Sequence, residues 1–238
     1  MRLTERQEKI LNIIIREYVD SAQPVSSQLL EKKYDFDISP ATIRIEMQKL
    51  TDKGFLLQPY TSAGRIPTDK GYRFYVDKLS LEEHQNTINK ELNPIEKEID
   101  DSFRFFYDLT KKIASLTSDL ALSYFPEEDI VFKEGWENIF KEPEFEDIDL
   151  ASKFAEMVEY MEKNIRELSN FDFPRIFIGS ENPLPNSREF SIVISKIHFP
   201  KKKDGVVALL GPKRMNYDKN VDIINSLNKN VRKKPLRH

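Results

Sequence analysis

The sequence predicts an α+β fold, and three observations predict it. Three helical patterns, a short apolar run and a glycine-bearing loop open the chain. A heptad of apolar residues crosses its middle. Beyond that, helical and strand periodicities alternate, and two strand patterns are joined by the basic turn Pro200-Lys201-Lys202-Lys203-Asp204-Gly205.

Thr4, followed three residues later by Gln7, forms a capping-box signal, and Ile10, Leu11, Ile14 and Tyr18 recur at helical spacing as far as Asp20. Gln23-Pro24-Val25 interrupts the chain, and Ser26 or Ser27 caps a second helix that runs to about Lys33. Ser39-Pro40 supplies an N-cap with proline at the first helical position. In the helix that follows, Ile43, Met47 and Leu50 share a face, and Gly54 suits a left-handed stop. Phe55-Leu56-Leu57-Gln58 reads as a strand. Thr68 caps a fourth helix carrying Tyr72, Phe74, Tyr75, Val76 and Leu79, which closes a small core. Helix, helix, helix, strand and loop is the order of a winged helix-turn-helix, predicted here over residues 1–79.

From Leu92 a seven-residue repeat runs through Ile99, Phe106, Ile113 and Leu120, with Ile95, Leu109 and Leu116 in companion positions. It predicts a long amphipathic helix ending before Pro126, within a linker over residues 80–125. Two uses of its apolar face stand open. Two chains could associate along a seam of Ile95, Ile99, Phe106, Leu109, Ile113, Leu116 and Leu120, or the face could pack on a C-terminal sheet. Ser102 and Ser123 interrupt the seam. Residues 126–238 read as a small α+β domain. It holds a helix from Ala151 to Leu168, a strand from Arg175 to Gly179, a hairpin of Phe190 to Phe199 with Val206 to Leu210, and a last helix carrying Val221, Ile224 and Leu227.

A hydrophobic share of 39% is enough for a core, while no apolar run reaches the roughly 18 residues a membrane helix requires. The first residues run into a charged helix without an apolar leader, so a cytoplasmic location is expected. The chain has no cysteine, which excludes disulfides, thiolate metal sites and a cysteine nucleophile, and its three histidines lie far apart. No metal and no cofactor are expected. Without a glycine-rich phosphate loop, a nucleophile elbow or a His and Asp cluster, the chain does not read as an enzyme. Net charge is +2 up to Leu79, −12 from Ser80 to Asp149 and +7 from Leu150 onward. The acidic middle repels a polyanion, so nucleic-acid contact must come from a local patch in the first segment.

The third helix offers such a patch. With Ile43, Met47 and Leu50 turned inward, Thr42, Arg44, Ile45, Gln48 and Lys49 form an exposed arc able to enter a major groove, with Arg44 or Gln48 as base readers. Ser39 and the helix N-terminus suit a phosphate. In the loop, Thr61, Ser62 and the backbone at Gly64 are placed to approach phosphates. Arg65 is placed to reach the backbone or a narrow minor groove. Arg73 either adds a phosphate contact or holds the loop through Asp69 or Asp77. Farther on, Gly211-Pro212-Lys213-Arg214-Met215 reads as a strand-to-helix turn in which Arg214 pairs with a carboxylate, in preference to an anion pocket.

Ser39-Pro40-Ala41-Thr42-Ile43-Arg44 and Ser62-Ala63-Gly64-Arg65-Ile66-Pro67-Thr68-Asp69-Lys70-Gly71-Tyr72-Arg73 make the segment from Leu3 to Asp77 resemble the DNA-binding domain of the bacterial heat-inducible transcription repressors called HrcA. Ile178-Gly179-Ser180-Glu181-Asn182 and Gly211-Pro212-Lys213-Arg214-Met215-Asn216-Tyr217 are similar to that family's regulatory-domain motifs. The resemblance implies a homodimeric repressor that binds double-stranded DNA at an inverted repeat upstream of chaperone genes, with the chaperonin GroEL keeping it active until heat titrates the chaperonin away. Ser26 joins the DNA-binding residues on this ground. The chain departs from the family at Ser26, Gln28, Ile45 and Tyr60, where glycine, a basic residue, asparagine and histidine are usual. It also moves from Leu116-Thr117-Ser118 to Gly135-Trp136-Glu137-Asn138 where the family carries a further stretch the size of a small domain. That stretch resembles an inserted dimerisation domain and part of a GAF-like sheet, so a truncated GAF-like regulatory domain is expected over residues 126–238. The alternative is a ligand-sensing winged-helix regulator of other genes.

Overall fold

The computed structural model describes residues 2–34, 36, 38–79, 102–168, 174–197 and 204–227. They belong to two compact units, Met1–Lys78 and Leu79–His238.

The first unit begins with α1 (Glu5–Ser21), whose capping box is complete in both directions between Thr4 and Gln7. α2 (Ser27–Lys33) is capped by Ser26 and α3 (Pro40–Asp52) by Ser39, each hydroxyl accepting from the amide three residues on. Ile10, Leu11, Ile14, Leu30, Ile43 and Leu50 fill the space between the three helices. A polar clamp sets the orientation of α3 on α1. The buried Gln7 donates Nε2 to Glu46 Oε2 at 2.8 Å and accepts at Oε1 from Lys53 Nζ at 2.8 Å. Lys49 Nζ reaches Glu46 Oε1 at 2.8 Å. The hydrogen bond from Lys49, aided by that from Gln7 and opposed by burial, holds the Glu46 carboxyl below its ordinary range.

α3 ends at Gly54, whose φ of +76° is the left-handed stop expected there. β1 (Leu56–Leu57) and β2 (Ile66–Pro67) form a short antiparallel ladder, Leu56 opposite Pro67 and Leu57 opposite Ile66. Thr68 then caps α4 (Asp69–Val76), accepting from the Gly71 amide and donating to the Gly54 carbonyl at 2.7 Å. Tyr72, Tyr75 and Val76 are buried.

The second unit is built on a five-stranded antiparallel sheet. Its strands are β3 (Leu120–Phe125), β4 (Ile130–Glu134), β5 (Arg175–Ile178), β6 (Phe190–Ile197) and β7 (Gly205–Pro212), in the order β4-β3-β7-β6-β5. Leu120 stands opposite Leu210 and Tyr124 opposite Val206, and β6 and β7 pair along their whole length. Alternation along each strand sends side chains to two faces. Leu120, Leu122, Tyr124, Ile192, Ile194, Ala208 and Leu210 share a core with Phe154, Met157, Val158 and Met161 of α7 (Ile148–Leu168). On the strands' other parity, Phe125 stacks on Phe106 of α5 (Ser102–Leu116) at 4.9 Å, and Ser123 Oγ meets Thr110 Oγ1 at 2.5 Å. Ser191 Oγ meets the Tyr217 hydroxyl of α8 (Tyr217–Leu227) at 2.7 Å. A sheet covered on both faces explains why its central strands read as nearly continuous apolar runs. The short α6 (Trp136–Ile139) and a 3-10 turn at Pro143–Glu146 lead into α7. Arg214 pairs there with Glu142 and with Glu144, its Nε 2.6 Å from Glu144 Oε1, so it takes the carboxylate pairing expected of it.

Two expectations are corrected here. The heptad helix does not continue to Pro126: α5 stops at Leu116, and Leu120–Phe125 is a strand. The Thr117 hydroxyl bonds the Ile113 carbonyl and accepts from the Asp119 amide, turning the chain. The run that follows gains strand neighbours on both sides, and that long-range pairing overrides the helical spacing of Leu116 and Leu120. The seam is corrected as well. Phe106, Leu109, Ile113 and Leu120 are buried within this unit and Leu116 is half-buried, so the face packs on the chain's own sheet, the second of its two open uses. Ile95 and Ile99 lie outside the described residues.

Candidate nucleic-acid interface

The inner face of α3 is committed to the core through Ile43, Glu46, Met47 and Leu50. Its remaining positions, Thr42, Arg44, Ile45, Gln48, Lys49 and Asp52, therefore face away from α1. Arg44, Gln48 and Lys49 are exposed, and Ile45 keeps 55% of its surface, a large value for an isoleucine. Ser39 Oγ accepts from the Thr42 amide at 3.3 Å and lies 3.0 Å from Thr42 Oγ1. Both hydroxyls thus sit together at the N-terminal end of the exposed arc. Ser26 likewise caps α2 through the Leu29 amide at 3.1 Å. Lys49 is drawn sideways to Glu46, which places it at the edge of the arc.

The loop between β1 and β2 folds back on itself. Gln58 Nε2 donates to the carbonyls of Thr61 and Ala63 at 2.8 and 2.9 Å, which closes the tip and leaves Tyr60, Thr61 and Ser62 outermost. Tyr60 is 63% exposed. Gly64 meets a packing demand of its own. A Cβ on it would lie 2.3 Å from the Val25 carbonyl oxygen, so glycine is required by the crossing of two backbones, and the loop is fastened to the segment before α2. Arg65 completes that crossing, its amide donating to Val25 O at 2.8 Å and its carbonyl accepting from Val25 N at 3.0 Å.

The side chain of Arg65 departs from expectation. Instead of reaching outward from the turn, it lies along α3, with Nε donating to Thr51 Oγ1 at 3.0 Å and Nη2 to Gln48 Oε1 at 2.9 Å. Gln48 Nε2 in turn donates to Asp52 Oδ1 at 2.8 Å. Helix and loop are one connected surface through Arg65. Arg73 reaches Asp77 at 3.3 Å, a pairing one turn along α4. The sequence reading missed Val25, Thr51 and Asp52. Thr51 carried a usable signal, because it stands three residues from Gln48 on the same side of the helix. Val25 carried none, since its contact with Arg65 spans the whole of α2 and α3.

A family model described as the HrcA protein C terminal domain matches residues 75–221, more than half of the chain. The chain belongs to the HrcA family. Among HrcA relatives, the heat-inducible transcription repressor of Alkaliphilus metalliredigens is 30% identical, over 97% of this chain and 97% of its own length. That of Thermodesulfovibrio yellowstonii is 27% identical over 94% of this chain and 95% of its own. Both alignments run over 335 positions against the 238 residues of this chain, which leaves at least 97 positions of the HrcA relatives without a counterpart here. The chain is a shortened HrcA, as its sequence indicated. The HrcA of Caldanaerobacter subterraneus is 42% identical over 120 residues, half of this chain. A crystal structure of a hypothetical protein matches with a TM-score of 0.74 at 23% identity, over 95% of this chain and 97% of that one, which shows that the fold recurs.

Proposed function

We propose that this HrcA member is a transcription repressor of heat-inducible genes whose residues 1–79 act as a winged helix-turn-helix on duplex DNA. The observation that carries the reading is the joint surface of α3 and the 58–65 loop. A capped helix N-terminus, exposed Arg44, Ile45 and Gln48, and the loop tip at Tyr60, Thr61 and Ser62 belong to one unit, tied by Arg65. α3 enters the major groove, Ser39, Thr42 and Ser26 lie by phosphates, and the loop tip follows the backbone. Arg44 and Gln48 read bases, Ile45 offers an apolar contact to a thymine methyl, and Lys49 meets the phosphate backbone from the edge of the arc. The relatives' name, that of a transcription repressor, supports this role and speaks against an enzyme.

One α3 covers too little DNA for discrimination on a genomic scale, so two protomers bind an inverted repeat. The second unit, which takes in α5 and β3 as well as the residues beyond 126, is a reduced GAF-like regulatory domain and receives the chaperonin GroEL. Acting on chromosomal DNA, the protein works in the cytoplasm. No described helix is long and apolar enough to cross a membrane, in keeping with that place of work. The sheet faces are filled by the chain's own side chains, which favours the repressor over a ligand-sensing regulator.

A salt titration tests the proposal. If each protomer meets about four phosphates, the logarithm of a dimer's affinity falls with the logarithm of salt at a slope near roughly −7. A gel-shift series on an inverted-repeat duplex measures it, and a flat response would overturn the reading.

A further inference from the structure

Gln48 stands in the middle of the outward arc of α3, and its amide is held at both ends. Arg65 can only donate and Asp52, as a carboxylate, can only accept. The amide oxygen must therefore face Arg65 Nη2, at 2.9 Å, and the amide nitrogen must face Asp52 Oδ1, at 2.8 Å. Turning the amide over would set donors against the guanidinium and oxygen against oxygen. The guanidinium is itself immobilised, because Nε is bonded to Thr51 at 3.0 Å and the Arg65 peptide groups are bonded to Val25 on both sides.

An amide oxygen has two acceptor positions and an amide nitrogen two hydrogens. Arg65 takes one of the first and Asp52 one of the second. What remains is one acceptor and one donor in a fixed order, on a side chain already exposed on the helix face. That pair complements the major-groove edge of adenine, which presents the N6 amino donor beside the N7 acceptor. We propose that Gln48 reads an adenine and that Arg65 is its positioning residue, setting the polarity of the amide before DNA arrives. The inference rests on the DNA-binding reading above. It gives Arg65 a part in which base is chosen, where a phosphate contact would act on every duplex alike.

The test uses the full chain. A duplex is enriched from a randomised pool by the unaltered protein, and each A·T pair in it is then replaced in turn by G·C. Binding is followed by fluorescence anisotropy across a salt series. The unaltered protein loses affinity at one adenine by roughly five- to a hundredfold, as expected for one bidentate base contact, and Gln48→Ala removes that preference. Arg65→Ala and Thr51→Val both erode the preference at that position alone, by about fivefold or more, and leave the salt slope as it was. Placed on Gln48→Ala, Arg65→Ala has no further effect at that position, since an effect that passes through Gln48 cannot outlast it.

If Arg65→Ala keeps the adenine preference and lowers the salt slope by about one for each protomer, Arg65 is a phosphate contact and the inference is overturned. Thr51→Val removes the Nε anchor, along with the hydroxyl's bond to the Met47 carbonyl, and keeps the charge, so it serves if Arg65→Ala melts early. A full adenine preference in Thr51→Val, lost in Gln48→Ala, overturns the inference too. If the unaltered protein enriches no duplex at all, the DNA-binding reading itself fails and takes the inference with it.

Discussion

Asn220 Nδ2 donates to Asp119 Oδ2 at 2.5 Å, joining α8 to the turn before β3 across 101 residues of chain. Asp119 is buried, and burial raises its carboxyl to about 7 against the hydrogen bond of Asn220, with Glu142 adding to the rise and Arg214 and Lys219 opposing it.

Stability of the second unit is expected to fall with rising pH on this account. A carboxyl held near 7 in the folded chain keeps its proton where the unfolded chain, at 3.8, has lost it. Folding therefore binds a proton between those values. The contribution is complete below about pH 4, declines as pH rises toward 7 and is constant above, on the order of 4 kcal/mol in all. Trp136, the single tryptophan, reports on this unit. Urea melts followed by its fluorescence at pH 5 and pH 8 should differ, and in Asp119→Asn most of that difference should vanish.

Gly64→Ala and Gly54→Ala separate two reasons for glycine. At Gly64 an added Cβ meets the Val25 carbonyl oxygen at 2.3 Å, whereas at Gly54 nothing lies within 4 Å and only the φ of +76° resists. Gly64→Ala should cost about 1–3 kcal/mol and detach the loop, with at least tenfold loss of duplex binding. Gly54→Ala should cost about 1 kcal/mol and leave binding within about threefold. Circular dichroism melts and anisotropy on the same samples compare them, and equal losses of binding would refute the distinction.

Phe106→Ala should destabilise the second unit by about 3–5 kcal/mol, because its ring is fully buried against Phe125. Molar mass by light scattering, measured where the variant is still folded, should match the unaltered protein. A change of mass without loss of stability would restore the seam as an interface.

Arg44→Ala removes an exposed donor of the α3 arc that makes no core contact. Its folding stability should stay within about 0.5 kcal/mol of the unaltered protein, while discrimination at one base falls by about 1–3 kcal/mol. Competition binding against single-base variants of the enriched duplex measures this, and a variant that binds with undiminished selectivity would remove Arg44 from the reading surface.

Much of the first unit was legible because its signals are local. Thr4 and Gln7, Ser39 with Pro40, and Gly54 each act within one helical turn, and the structure shows them as caps and a stop. The stretch Leu120–Phe125 reads as helix by its spacing for the opposite reason. Its apolar residues satisfy either period, and its choice depends on β4 and β7, one of which lies far along the chain. Gln48 stands out in the sequence by its place opposite Ile43, Met47 and Leu50. Which way its amide points could not be read, since that is set by Arg65, whose own direction follows from a backbone crossing at Val25.

The sequence by itself determined the order of helices, strand and loop in the first unit, the family, the shortening and the outward arc of α3, because caps, periodicity and motifs are written in neighbouring residues. The tertiary structure alone decided what long-range contacts decide. It spent the heptad face on a five-stranded sheet, buried Asp119 under Asn220, and turned Arg65 from the loop onto Gln48, each through partners that sequence spacing does not bring together.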